Sequence, residues 1–90
     1  KHFLLGFSMS IQLAEHMANF AECGNQQHII LKNGQMLQGW IMEITEDALL
    51  ISTGFADKSG KDFWLKFTDL TTAELYYWDT RQDDWVTFKL

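Results

Sequence analysis

The sequence predicts a mainly β fold: one N-terminal α-helix, then a small, strongly bent, five-stranded antiparallel barrel with an extra C-terminal strand. Three observations point there. A segment near the start carries helical periodicity, an Asn-Gly pair separates two β-prone runs, and turn-forming clusters then recur every few residues without a single proline. All 90 residues form one expected domain, since two cores from so short a chain would be hard to stabilise. Its parts are a helix over 10–24, a barrel over 27–78 and a closing hairpin strand over 79–90.

The helix is bounded at both ends. With about 100° per residue, Ile11, Leu13, Ala14, Met17, Ala18, Phe20 and Ala21 share one side, and Gln12, Glu15, His16, Asn19 and Glu22 share the other. Ser10 suits an N-cap, and Gly24 can take the left-handed conformation that closes a helix. The preceding run, Lys1-His2-Phe3-Leu4-Leu5-Gly6-Phe7, faintly resembles the charged and apolar parts of a signal peptide. Gly6, Ser8 and Ser10 interrupt it, so a cytoplasmic protein is expected instead.

The first strand is read at His28–Lys32 and the second at about Gln35–Thr45. Between them stands Asn33-Gly34, whose two positions favour the positive φ of a tight hairpin. Strict alternation along the second strand sets Met36, Gln38, Trp40, Met42 and Ile44 against Leu37, Gly39, Ile41, Glu43 and Thr45. Gly39 in mid-strand costs stability unless the strand bends there or another backbone comes close. Further strands are expected at Ala48–Thr53, Asp62–Thr68, Thr72–Trp78 and Trp85–Leu90, with a polar loop over Gly54–Lys61.

Composition narrows the function. The chain is 47% hydrophobic and 14% aromatic, enough for a compact core, and its four Trp and seven Phe suggest that some pack between subunits. A net charge of −5 with Arg81 as the one arginine argues against a general nucleic-acid coat. The single cysteine, Cys23, fits a reduced compartment and a small buried hydrophobe. No apolar stretch is long enough to span a bilayer, so no membrane partner is expected.

The run Leu31-Lys32-Asn33-Gly34-Gln35-Met36-Leu37-Gln38-Gly39-Trp40-Ile41 resembles the first motif of the Sm-like family. That motif joins an apolar strand to a glycine turn and places a second glycine five residues on, the interval kept by Gly34 and Gly39. Asn33-Gly34 with Leu37-Gln38-Gly39 is most similar to the Hfq branch. The order of helix, hairpin, bent strand and variable loop agrees over about residues 10–78. Small barrels of the SH3 or Tudor kind share hairpins and bent strands, but the leading helix favours the Sm-like reading.

The resemblance implies a homo-oligomeric ring that binds short single-stranded RNA without catalysis, at the loops after strands two and four. Thr45, Glu46, Asp47, Lys66 and Thr68 are the candidate RNA-binding positions. Thr45 stands where the Sm pattern has Asp, Asp47 replaces a stacking aromatic, and Phe67 occupies a glycine position, so these loops depart from the uridine pocket usual in the family. An alternative is an Sm-fold assembly or protein-interaction module that binds no RNA. The resemblance also implies pairing between strands four and five of neighbouring copies, with Phe63, Trp64, Leu65, Leu75, Tyr76, Tyr77 and Trp78 as candidate interface residues. The strand from Trp85 could instead fold back over strand five within one chain.

Other chemistry finds little support. His2, His16 and His28 lack metal-ligand spacing, and the acids Glu46-Asp47, Asp57 and Asp83-Asp84 occupy turns rather than forming a triad or dyad. No metal, cofactor or small-molecule substrate is expected. Tyr76, Trp78, Trp64 and Trp85 suit base stacking in type but lie among Asp79, Asp83 and Asp84, which favours packing.

Overall fold

Helix α1 runs over His2–Glu22, and the chain then builds six strands in the computed structural model, which describes residues 2–54 and 60–89, the first ten of these by backbone alone. The strands are β1 (Gln27–Ile30), β2 (Met36–Ile44), β3 (Ala48–Ser52), β4 (Asp62–Lys66), β5 (Glu74–Asp79) and β6 (Asp84–Phe88), with a one-turn helix α2 (Phe67–Leu70) between β4 and β5. Every pairing is antiparallel, in the order β4-β3-β2-β1-β5-β6. The six strands match the five plus one that were expected, but the sheet is open: closure into a barrel is not seen among the described residues.

The helix starts eight residues before the expected N-cap, so Ser10 lies inside α1 rather than at its end. Leu and Met propagate a helix well, and the cost of Gly6 and the serines does not interrupt it. Its two faces separate as expected. Met17 and Phe20 are fully buried, while Gln12, Glu15, His16, Asn19 and Glu22 are exposed. At the far end Gly24 takes φ +61°, the left-handed turn that leads the chain away from the helix. Gln27, buried at 3% exposure, aims its amide nitrogen back at the helix, 3.2 Å from the Phe20 and Ala21 carbonyls and 2.8 Å from that of Cys23.

The first hairpin turns differently from a two-residue Asn-Gly loop. Gly34 alone has positive φ, at +91°; its N–H donates to the Leu31 carbonyl at 2.8 Å, and Leu31 donates to Gln35 at 2.9 Å. This is a three-residue loop with a glycine bulge, in which the Asn33 side-chain oxygen accepts from the Gln35 N–H at 2.9 Å. Asn33 supplies a side-chain hydrogen bond rather than a left-handed backbone.

Strand β2 changes neighbours at Gly39. Its first half, Met36–Gly39, pairs with β1, and its second half, from Trp40, pairs with β3. A Cβ on Gly39 would collide with the backbone carbonyl of Ser52, so only glycine permits this approach. Strict alternation then fails at Met42, where the register against β3 shifts between Ile41 and Glu43. Ile41 and Ile44 are three apart and would fall on opposite faces of a regular strand. The bulge sets them opposite Ile51 and Leu49, both fully buried, so that they share a face. Ile41 packs against the core there, while Ile44 at the strand's end stays 37% exposed.

Core residues come from every layer: Met17 and Phe20 of α1, Ile29, Leu37, Leu49, Ile51, Leu65 and Leu75 of the sheet, and Phe67 and Leu70 of α2. The expected fourth strand ends at Lys66 rather than Thr68. Phe67 and Leu70 both face the core at a spacing of three, which a helical turn satisfies and a strand does not. Of the loop expected over 54–61, residues 55–59 lie outside the described residues.

Candidate functional site

The two loops proposed to meet RNA lie side by side. Ala48 of β3 pairs with Lys66 of β4, and one step beyond, the Phe67 N–H donates to the Asp47 carbonyl at 2.8 Å. That bond ties the β2–β3 turn to the start of α2. Thr45, Glu46, Asp47, Lys66 and Thr68 therefore share one exposed end of the sheet.

The chemistry of that end is mostly acidic and self-satisfied. The single hydrogen of the Thr45 hydroxyl has two acceptors in reach, the Asp47 carboxylate at 3.1 Å and the Ala48 carbonyl at 3.2 Å, and its oxygen accepts from the Ala48 N–H at 3.1 Å. It closes its own turn. These two neighbouring segments carry three exposed carboxylates, Glu46, Asp47 and Asp69, against one lysine, Lys66, a balance that would repel a phosphate more than attract one. Phe67 is buried at 3% exposure, so no aromatic from these loops is offered to a base.

The candidate interface residues divide. Leu65 and Leu75 are buried at 8% and 2% exposure in the chain's own core. Strand β5 is paired on both sides, with β1 and with β6, so Tyr76, Tyr77 and Trp78 do not lie on a free edge. The C-terminal strand covers strand five within one chain. Among the described residues strand β4 is paired only with β3, and there Phe63 is half-buried while Trp64 is 54% exposed. The free edges of the sheet among the described residues are β4 and β6.

A third feature escaped sequence reading. On the sheet face opposite the core, His28, Ile30, Gln38, Tyr76 and Trp85 line an open cleft of about 280 Å³. His28 packs edge-on against Tyr76 at 5.9 Å and Trp85 at 5.5 Å, and Trp85 meets Trp78 at 5.4 Å. The His28 Nδ1 lies 3.2 Å from the Gln38 amide oxygen, and the Gln38 amide nitrogen donates to Gln26 at 3.3 Å. The Tyr76 hydroxyl donates to Glu74 at 2.6 Å, an arrangement that pushes the phenol pKa up. The three-residue turn at Gly34 sets His28 opposite Gln38, whereas a two-residue Asn33-Gly34 turn would set it opposite Gly39, so this pairing was not legible before the turn was seen.

The remaining reactive groups are quiet. Cys23 is half-buried, and burial, followed by the neighbouring Glu22 charge, pushes its thiol pKa up, away from an activated nucleophile. Among the described residues no group of three or more His, Cys, Asp or Glu is placed to hold a metal, and no helix is long and apolar enough to cross a membrane. Comparison with known proteins gives no match, whether to a family model, a curated protein or a solved structure.

Proposed function

We propose that this chain is an Sm-like assembly module that does no chemistry and forms a ring by pairing sheet edges between copies. The observation that carries this reading is the open antiparallel sheet with two unpaired edges, preceded by an amphipathic helix and bent through a strand that changes partners at Gly39. An unpaired edge invites another strand, and β4 exposes Trp64 beside its free backbone groups. The lone cysteine fits a reduced, cytoplasmic setting.

A second reading is that the ring holds short single-stranded RNA at Thr45, Glu46, Asp47, Lys66 and Thr68. The Phe67–Asp47 hydrogen bond favours it, because it draws both loops into one rim. The excess of carboxylates over lysine in these two segments favours assembly without RNA. Native mass measured with and without oligo-U and oligo-A separates the readings. A multimer whose mass does not change with either RNA supports the assembly module. A multimer that retains one of them moves the function to the rim, and a monomer under all conditions removes both.

A further inference from the structure

We propose that β6, not β5, is the strand that meets β4 of the next copy, in one antiparallel register. The inference rests on the ring-forming reading above and names its contact.

The backbone fixes which groups are free. Thr53 N–H donates to the Lys61 carbonyl at 3.1 Å and Phe67 N–H to Asp47 at 2.8 Å, so odd residues of β4 face β3. Asp62, Trp64 and Lys66 therefore point their N–H and C=O groups outward. At the other edge, Trp78 N–H donates to Gln26 at 2.9 Å, so even residues of β5 face β1 and odd ones face β6. Their partners Asp84, Val86 and Phe88 turn inward, leaving Trp85 and Thr87 with outward backbone groups, an alternation that Lys89, one residue past β6, would continue.

Direction and faces then agree. Six strands that alternate in direction leave β4 and β6 running opposite ways, so a head-to-tail copy brings them together antiparallel. Pairing Trp64 with Thr87 of the next copy sets Asp62 against Lys89 and Lys66 against Trp85, and all three pairs join outward-facing backbones. Between them, Phe63 meets Phe88 and Leu65 meets Val86, on the face that carries the core in each chain. Opposite charges oppose, a lysine lies over an indole, and apolar residues continue the core. One contact of this kind removes both free edges, whereas β4 against its own copy would leave β6 bare. Asp62 and Lys66 alone would serve to blunt an edge, but a blunted edge does not carry a 54% exposed Trp between them.

Directly opposed residues of a hydrogen-bonded antiparallel pair have Cα atoms about 5.5 Å apart, within disulfide range. The test is oxidation of the full chain carrying Trp64→Cys and Thr87→Cys with Cys23→Ser, read on a non-reducing gel. A ladder of covalent multimers from the double variant, absent from either single variant, is expected. A covalent dimer from Trp64→Cys alone would mean β4 pairs with itself, and a disulfide within one chain would mean the sheet closes on itself; either overturns the proposal. Should the cysteine variants not fold, Asp62→Lys and Lys89→Asp keep the question open to measurement. Each alone should lower the multimer fraction, and the two together should restore it. If the parent is a ring and neither cross-linking nor charge exchange affects it, the register is wrong and the ring stands. A monomeric parent removes the ring itself.

Discussion

The side-chain nitrogen of Gln27 lies 2.8 Å from the carbonyl oxygen of Cys23, where it closes the last turn of α1 from the first residue of β1. Helix ends leave carbonyls without partners, and this amide also reaches those of Phe20 and Ala21. The helix and the sheet are thereby joined through a polar group inside the fold. Gln27→Met keeps the length and removes the donors, so it should destabilise by about 1–3 kcal/mol, the cost of unpairing part-buried acceptors. These are chiefly the Ala21 and Cys23 carbonyls, since that of Phe20 also accepts from the Cys23 N–H. Urea unfolding measures it, and an unchanged midpoint would mean that water takes the amide's place.

Phe20 is fully buried and its ring lies 5.1 Å from that of Phe88. Phe20→Ala should cost roughly 3–5 kcal/mol, the range for a buried phenylalanine that leaves a cavity. A shift of a few tenths in the same denaturation experiment would make α1 a peripheral element. Since Phe88 belongs to β6, the loss should also loosen that strand, seen as faster amide exchange at Val86 and Phe88.

Gly39→Val should unfold or aggregate the protein despite the preference of valine for strands. The Cβ would meet the Ser52 carbonyl, which is backbone and held by the β2–β3 pairing. A soluble variant of parental stability would show that β2 and β3 can separate at that point without loss.

The acidic rim leads to a prediction about RNA. If charge rather than shape keeps phosphates away, Glu46→Lys with Asp47→Lys should raise oligo-U retention at low salt, and the gain should vanish as salt is added. Unchanged retention would mean that the rim lacks the shape for RNA as well as the charge.

Much of the fold was legible because local signals agreed with long-range ones. The faces of α1, the closing turn at Gly24 and the close approach at Gly39 each follow from residues whose chemistry allows little else. The misses share a different cause. The bulge at Met42 appears only when Ile41 and Ile44 are matched against Ile51 and Leu49, and α2 only when Phe67 and Leu70 are both assigned to one core. The capping of β5 by β6 pairs Trp78 with Trp85 across a turn in which Asp83 takes φ +54°, and no sequence pattern distinguished that partner from a strand of another copy. For the candidate site, position was legible and chemistry partly so. The two loops do meet, yet the hydrogen bonds that occupy the Thr45 hydroxyl depend on the folded turn.

Assembly is the claim on which the function rests, and light scattering coupled to size exclusion tests it most directly. The parent chain has a mass of 10.5 kDa, and at micromolar concentration a single closed species of roughly five or more chains is expected. A clean monomer mass at that concentration would contradict it.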